Sequence, residues 1–335
     1  MDYKKIVFTQ PREACLVADS IDESSIPSGS FLLKNYYSLV SAGTERACYQ
    51  GIETWFRLPN TPGYACVGEV IGKAGDVTDL EVGDLVFCQG KHAEVQIYST
   101  KQNYCKLPKG IDLAKATVAR LFAIAFTAVR VSSIELGDDV LVVGQGIIGN
   151  GAAQLAQLQG ANVVVMDLSA DRLAMSAACG IRHTICSANN DHIMDAIKSA
   201  FDGRMPMFVI DATGVPAVID QAIDYCAPGG QMILLGSPRS DRQGNITHFQ
   251  QKIHRFGSRV SVVGAHEQMS PAKTMPYVKH SCERNQRICL ELINEGRLVT
   301  DGLITNIVKA EEAALVYAEI DKNNPEYLGV VFDWR

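Results

Sequence analysis

A glycine-rich turn is the clearest chemical feature of the sequence. It reads Gly144-Gln145-Gly146-Ile147-Ile148-Gly149, after the apolar run 139–143 and before a run with helical spacing of apolar residues. Glycines in this pattern allow a tight turn, close approach of a pyrophosphate to the backbone, and close packing of helix on strand. The unpaired N–H groups at a helix start favour phosphate. We therefore expect Gly144, Gly146, Ile147, Ile148 and Gly149 to bind a dinucleotide.

An acidic residue, Asp167, ends the next predicted strand. A carboxylate at that place accepts hydrogen bonds from the adenosine ribose and repels a 2′-phosphate, so the sequence predicts NAD rather than NADP. Arg172 leaves three interpretations open. It covers the adenine, it neutralises Asp167 and so admits NADP, or it is a solvated surface charge.

The elements that would position these residues alternate along the middle of the chain. Predicted strands cover 139–143, 162–166, 207–211, 232–236 and 260–264; predicted helices cover 121–131, 148–159, 170–179, 193–201 and 218–225. Strands alternating with helices indicate a doubly wound parallel sheet, and apolar runs such as 163–165 suit strands buried on both faces. Residues 1 to about 120 have short β-type runs between glycines and prolines, and a long helix (281–295) and a strand (327–334) follow near the end. The predicted fold class is α/β.

Composition excludes several classes of protein. The chain has 335 residues, 47% of them hydrophobic and 20% charged, with a formal net charge of −6. Nucleic-acid and membrane-surface partners favour basic patches, so we expect neither. No signal peptide and no apolar stretch long enough to span a membrane are expected. The ten cysteines are scattered, which is typical of reduced thiols in a cytoplasmic protein.

The whole chain resembles the medium-chain dehydrogenase/reductase superfamily, which includes the zinc-type alcohol and polyol dehydrogenases. The motifs that carry this resemblance are 62–70 (PGYACVGEV), 82–86 (VGDLV), 144–149 (GQGIIG), 211–214 (DATG) and 235–236 (LG). The resemblance implies a GroES-like substrate domain (1–121 and 267–335) interrupted by a Rossmann domain (122–266). It also implies that Thr213, Gly214, Gly236 and Ser237 lie along the nicotinamide half of the cofactor.

The sequence departs from the zinc-using members at every ligand position. Where they carry Cys-Gly-Ser/Thr-Asp and Gly-His-Glu, this chain has Ala42-Gly43-Thr44-Glu45 and Gly63-Tyr64-Ala65. The run 120–125 offers no later ligand, and only Cys88 and Cys105 lie where the structural zinc lobe would be. Two cysteines cannot complete a tetrahedral site. We expect no metal, as in the zinc-less branch that includes bacteriochlorophyllide dehydrogenase-like and sugar-modifying proteins.

Without zinc, another group must handle the hydroxyl proton of the substrate. Thr44 matches the Ser/Thr with which the family binds the substrate oxygen, unless it merely caps a turn. Tyr64 replaces the zinc-binding histidine, either as acid/base or as a space-filling ring. His92 could serve as base or relay, although a lone histidine beside a strand is more often structural. These three residues are the predicted catalytic set.

Three further residues are predicted to contact the substrate. Glu45 has lost the histidine that its family counterpart orients, so we expect it to pair with Arg46 or with a sugar hydroxyl. Trp55 would lie with Tyr49 and Phe56 in a loop over the cleft, where aromatic rings stack on a sugar or tetrapyrrole or simply pack the loop. His266 follows the last predicted Rossmann strand and would face the nicotinamide.

The sequence thus favours a zinc-independent, NAD-dependent oxidoreductase that interconverts a secondary alcohol and a ketone, on a polyol or sugar-like molecule. Two alternatives stay open. The chain could be an enone or quinone reductase, although such relatives usually use NADPH and Asp167 disfavours that cofactor. It could also be an NAD(H)-binding protein without activity. Family members commonly form dimers or tetramers through the last Rossmann strand, so we expect a homodimer or homotetramer.

Overall fold

The computed structural model describes residues 1–335, and the chain divides into two compact units. The first unit consists of Met1–Arg120 and Ser270–Arg335, and the second of Leu121–Met269. The sequence placed the corresponding changes at residues 122 and 267. The first unit is therefore assembled from both ends of the chain.

Helices and strands follow one another with these bounds. Up to the division they are β1 (Asp2–Gln10), β2 (Glu13–Ser20), β3 (Ser30–Leu39), α1 (Ala42–Tyr49), β4 (Cys66–Lys73), β5 (Leu85–Cys88), β6 (Val95–Ser99), β7 (Tyr104–Lys106), α2 (Leu113–Ala116) and α3 (Ala119–Val131). The second unit continues with β8 (Asp139–Val143), α4 (Ile147–Gln159), β9 (Asn162–Asp167), α5 (Ala170–Ala178), β10 (His183–Cys186), α6 (Ile193–Ala200), β11 (Phe208–Asp211), α7 (Pro216–Ala222), β12 (Gln231–Leu234), α8 (Ile246–His254) and β13 (Ser261–Gly264). The final segment adds α9 (Cys282–Asn294), β14 (Asn306–Lys309), α10 (Ala313–Asp321) and β15 (Val330–Asp333).

The second unit has a six-stranded parallel sheet in the order β10-β9-β8-β11-β12-β13. In β8 and β9 every residue after the first is buried, and most of these residues are apolar, as expected where helices cover both faces. The strand order reverses between β8 and β11, and ligands of such sheets bind beyond the carboxyl ends of the strands at that point. The predicted doubly wound fold is confirmed.

The first unit has a seven-stranded sheet in which β3 pairs with β4, β6 and β15. Its β15 comes from the chain end and lies between β14 and β3. Phe8, Tyr317 and Phe332 are fully buried together in one core cluster, which joins the first strand to the last helix and strand. The β-rich character expected for this unit is confirmed.

The structure departs from the expected loop at residues 49–56. Tyr49 ends α1, and Tyr49 and Phe56 are buried against Phe8, with ring centroids 5.3 and 5.9 Å from it. Burying these rings in the core removes more apolar surface from water than stacking them over an open cleft. Of the three aromatic rings in this segment, only that of Trp55 is exposed.

Several elements were not predicted from the sequence. The strand β10 and the helices α1, α8 and α10 lie in runs whose apolar spacing is short or irregular. The hairpin of β1 and β2 is longer than the short β-type runs expected in this part of the chain. None of the helices combines the length and the apolar character needed to cross a membrane.

Candidate active site

The glycine-rich turn joins β8 to α4 at the point where the strand order reverses. The helix α4 begins at Ile147, and its N-cap, Gly146, provides no side-chain hydrogen bond to the first turn. A Cβ at Gly146 would meet no atom within 4 Å, whereas a Cβ at Gly149 would lie 1.8 Å from the Gly144 carbonyl oxygen. The first glycine thus leaves open space beside unpaired N–H groups, and the second allows helix and turn to touch. This geometry fits a pyrophosphate.

Asp167 lies at the carboxyl end of β9, beside that turn. Its Oδ2 accepts a hydrogen bond from the Gln145 N–H at 2.6 Å, and its Oδ1 accepts one from the Ser169 N–H at 2.8 Å. The nearest Arg172 nitrogen is 3.9 Å from Asp167 Oδ2. The carboxylate is therefore held in place by backbone donors, with one cation at the edge of ion-pair range.

The loops after β11 and β12 meet in the same unit. Asp211 is buried; its Oδ1 accepts a hydrogen bond of 2.6 Å from the Thr213 hydroxyl, and its Oδ2 accepts one of 3.1 Å from the Gly214 N–H. A Cβ at Gly236 would lie 2.1 Å from the Gly214 nitrogen. Thr213, Gly214 and Gly236 are thus brought together beyond the strand ends, with Ser237 next along the chain. Their predicted contact with the nicotinamide stays a prediction.

The first unit contains a cavity of about 540 Å³. Thr44, Glu45, Trp55 and Tyr64, all named from the sequence, line it. The Tyr64 hydroxyl donates a hydrogen bond to Ser41 Oγ, and the Arg120 guanidinium carbon lies 5.1 Å from the centre of the Tyr64 ring. The structure therefore places a phenol on the cavity wall with a cation against its ring.

Opposing effects act on the Tyr64 phenol. Burial raises its pKa, since a phenolate is costly to keep away from water, and nearby Glu45 adds to this. The Arg120 charge, the largest effect that lowers the pKa, favours the phenolate and offsets part of the rise. The net direction is upward, so Tyr64 is a phenol at neutral pH and can donate its proton.

Glu45 and His92 form a buried pair behind the cavity wall. Glu45 Oε2 lies 2.9 Å from His92 Nε2 and accepts a hydrogen bond of 2.6 Å from the Tyr317 hydroxyl. Glu45 Oε1 accepts the Ser41 N–H at 2.8 Å. Burial alone would raise the pKa of Glu45, but His92 and these hydrogen bonds hold it below its ordinary value. The pair thus fixes the first turn of α1, which carries Thr44.

His92 and Glu45, which were predicted to act at the substrate, both have protein partners. His92 is fully buried, and its Nδ1 lies 2.7 Å from Ser38 Oγ, so both ring nitrogens already have protein partners. Glu45 pairs with His92 rather than with Arg46, because Arg46 bonds instead to Asn323. Both residues thus help to position the wall of the cavity, and their predicted roles at the substrate stay predictions.

Two other predicted contact residues are exposed. Trp55 is 62% exposed on the cavity rim, and its Nε1 donates to Glu53 Oε2 at 2.8 Å. His266 lies in the second unit just after β13, where its Nδ1 accepts a hydrogen bond of 3.3 Å from the Gln268 N–H. Trp55 is thus placed at the cavity, whereas contact of His266 with a nicotinamide stays a prediction.

The residues at the cavity do not fit a zinc ion. No group of three or more His, Cys, Asp or Glu side chains is arranged to hold a metal. The Cys66 thiol is buried and donates to the Lys91 carbonyl oxygen at 3.1 Å, and burial raises its pKa. Zinc binds the thiolate, so a thiol held in its protonated form is a poor ligand.

Comparison with known proteins places the chain in a family. Residues 148–275 match the family model described as "Zinc-binding dehydrogenase". The chain is 26% identical to D-guloside 3-dehydrogenase of Escherichia coli over 98% of this chain and 100% of that protein. It is 28% identical to L-galactonate-5-dehydrogenase of Escherichia coli over 71% of this chain and 78% of that protein.

The chain belongs to the medium-chain dehydrogenase/reductase superfamily. The crystal structure of galactitol-1-phosphate dehydrogenase from Escherichia coli superposes with a TM-score of 0.84 at 19% identity, covering 98% of this chain and 99% of that one. The superfamily expected from the motifs is thus confirmed. The chain is an oxidoreductase of the alcohol-dehydrogenase type.

Sequence reasoning missed Arg120, Ser41 and Tyr317. Arg120 stands in the apolar run 119–126, and the structure leaves it only 4% exposed. Arginine is almost never fully buried unless it is paired, so a lone cation in such a run could have marked it. The side chains of Ser41 and Tyr317 carry no comparable signal, because their hydrogen-bond partners Tyr64 and Glu45 lie 23 and 272 positions away.

Proposed function

We propose that this superfamily member is a zinc-independent, NAD-dependent oxidoreductase that interconverts a secondary alcohol and a ketone on a polyol or sugar-like substrate. The observation that carries the proposal is Tyr64, which lines the cavity and hydrogen-bonds to Ser41. By the family resemblance, Tyr64 stands at the position of the histidine ligand of zinc-using members. The two relatives compared above are named as dehydrogenases of L-galactonate and of D-gulosides, which supports a polyhydroxylated substrate.

Asp167 supports NAD over NADP. Its carboxylate is held by the N–H groups of Gln145 and Ser169, at the place where the ribose of a bound dinucleotide is expected. A 2′-phosphate would meet this negative charge. Arg172 approaches Asp167 only at 3.9 Å, too far for a hydrogen bond that would neutralise it well.

The residues that line the cavity can transfer the hydroxyl proton of the substrate. A nicotinamide, when bound, supplies or accepts the hydride. Tyr64 donates its hydroxyl proton to the ketone oxygen in reduction and takes it back in oxidation, as a positioned phenol can. Thr44 hydrogen-bonds the same oxygen, and Glu45 holds the turn of α1 that carries Thr44. Arg120 offsets part of the cost of a buried phenolate.

The proposal is tested by following NADH absorbance over a panel of polyols, sugar acids and their keto forms. We expect turnover with NAD that persists after prolonged treatment with a zinc chelator and dialysis. Tyr64→Phe should lower kcat by about a hundredfold or more, the usual size of an acid/base contribution, with a smaller change in KM. Since the ring stays, Arg120 keeps its stacking partner and the thermal unfolding midpoint should hardly move.

Three results would contradict the proposal. Loss of activity on chelation with recovery on adding zinc would show a metal enzyme. Strong preference for NADPH would favour an enone or quinone reductase. Tight NADH binding without turnover of any substrate in the panel would indicate a binding protein.

A further inference from the structure

The cavity of the first unit carries unneutralised positive charge. Three charged residues line it: Lys91, Lys101 and Glu45. Both lysines are exposed, and neither ammonium group forms an ion pair with a carboxylate. Glu45 is already paired with His92. The chain as a whole carries a net charge of −6, so the two unpaired cations at this cavity are opposite in sign to the net charge of the protein.

A second observation at the cavity points to a hydroxyl-bearing ligand. Asn103 lines the cavity and is only 4% exposed, yet its Oδ1 is buried without a hydrogen-bond partner. Its backbone carbonyl is satisfied by the Tyr98 hydroxyl at 2.7 Å. Leaving a buried acceptor unpaired is unfavourable, and an O–H or N–H donor on a ligand would remove that cost. A polyol supplies such donors.

We propose that this cavity binds a polyol that carries an oxyanion, either a carboxylate or a phosphate. Lys91 and Lys101 hold the anion, and Asn103 accepts a hydrogen bond from a hydroxyl of the same molecule. Thr44 and Tyr64 line the same cavity, so the reacting carbon and the anion belong to one ligand. A volume of about 540 Å³ suits a small molecule of this kind. The inference deepens the proposed function and rests on it.

The strength of charge-assisted hydrogen bonds sets the expected change in affinity. Each lysine contact to an oxyanion should change affinity by about tenfold or more, because hydrogen bonds to charged groups contribute more than neutral ones. The effect should weaken as salt rises, since both ammonium groups are exposed to solvent.

The test compares matched substrates. In the gluco, galacto and gulo series, the free polyol, the aldonate and the polyol phosphate are assayed for kcat/KM, and their binding is measured by calorimetry. We expect at least one anionic member to exceed its neutral counterpart by about tenfold or more. The double variant Lys91→Gln/Lys101→Gln should remove this preference, mainly by raising KM. Lys109→Gln, an exposed lysine outside the cavity, is the matched control and should keep the preference.

The results of this test distinguish a carboxylate from a phosphate ligand, and they distinguish an error in the anion site from an error in the proposed function. Carboxylate and phosphate are distinguished by which anionic member is preferred. Asn103→Leu should weaken neutral and anionic members alike, because it removes the acceptor and not the charge. Equal binding of neutral and anionic members, or a preference that survives in the double variant, overturns the inference. Charge-dependent binding without turnover instead overturns the proposed function and leaves the anion site standing.

Discussion

At the scale of single residues, the candidate site depends on the interaction between the Tyr64 phenol and the Arg120 cation. Tyr64 presents a half-buried phenol on the cavity wall, and the buried guanidinium of Arg120 lies 5.1 Å from the centre of its ring. Burial pushes the pKa of Tyr64 up, whereas the cation favours the phenolate and pulls it down. The balance between the two determines at which pH Tyr64 can act as a base.

Replacing Arg120 by methionine should therefore shift the pH dependence in one direction. The cation lowers the pKa of Tyr64, so its loss raises that pKa further. Alcohol oxidation, which needs the phenolate, should lose its rate at neutral pH and recover only at higher pH. Ketone reduction, which needs the phenol, should change less. Glu45 and its partner His92 are the other ionisable groups near Tyr64 and are unchanged in this variant.

The measurement is the pH profile of kcat/KM in both directions, together with the ultraviolet difference spectrum of tyrosinate between each protein and its Tyr64→Phe derivative. Arg130→Met is the matched control, because Arg130 also lies on α3 and stacks on an aromatic ring, that of Phe126, at 3.9 Å. Identical profiles for Arg120→Met and the control would show that Arg120 does not act on Tyr64.

At the scale of elements, two glycines in the turn between β8 and α4 have different roles, one in packing and one in leaving space for a ligand. Gly149 is required by packing, since a Cβ there would lie 1.8 Å from the Gly144 carbonyl oxygen. Packing does not require a glycine at position 146, because a Cβ there would meet no protein atom within 4 Å. The φ of Gly146, −70°, also suits any residue. The space beside Gly146 matters only if a ligand fills it.

Two alanine substitutions separate packing from binding. Gly149→Ala should destabilise the protein by about 2 kcal/mol or more, because turn and helix must move apart. Gly146→Ala should leave stability unchanged and weaken NADH binding by about tenfold or more, since the methyl group takes the space of the pyrophosphate. Urea denaturation followed by circular dichroism, and NADH fluorescence titration, measure the two quantities. Gly75→Ala, with open space around its Cβ, is the control for both. Unchanged NADH affinity in Gly146→Ala would place the cofactor elsewhere.

At the scale of the whole molecule, the first unit depends on the end of the chain. β15 pairs with β3 and β14, and Trp334 directly after it donates its Nε1–H to Ser38 Oγ at 2.7 Å. Ser38 Oγ in turn lies 2.7 Å from His92 Nδ1. The last residues therefore support the buried Glu45–His92 pair, although the second unit separates them from it along the chain.

Trp334→Ala should accordingly destabilise the protein by about 3–5 kcal/mol, the usual cost of removing a large buried ring. Phe256→Ala is the matched control: its ring is 87% exposed, so stability should change by less than about 0.5 kcal/mol. Urea denaturation followed by far-ultraviolet circular dichroism suits both variants. Equal stability of the two would show that the chain end is not part of the folded core.

The sequence by itself determined the fold class, the glycine-rich turn, Asp167 and the absence of the family's metal ligands. Each of these can be recognised within a short stretch of sequence, from the period of apolar residues, from the spacing of glycines or from the residue at a motif position. It placed Tyr64 and Thr44 at a cavity through the same motifs. It could not show that Glu45 would turn to His92 and Tyr317 rather than to Arg46.

Only the tertiary structure decided that, since Tyr317 and Glu45 are 272 positions apart and no local pattern records their hydrogen bond. The same holds for the contact of Arg120 with Tyr64. It holds too for the placement of Lys91, Lys101 and the unpaired Oδ1 of Asn103 at one cavity. Electrostatic effects depend on distance and burial rather than on residue type. The chemistry of this site is therefore set by contacts between segments that the sequence keeps far apart.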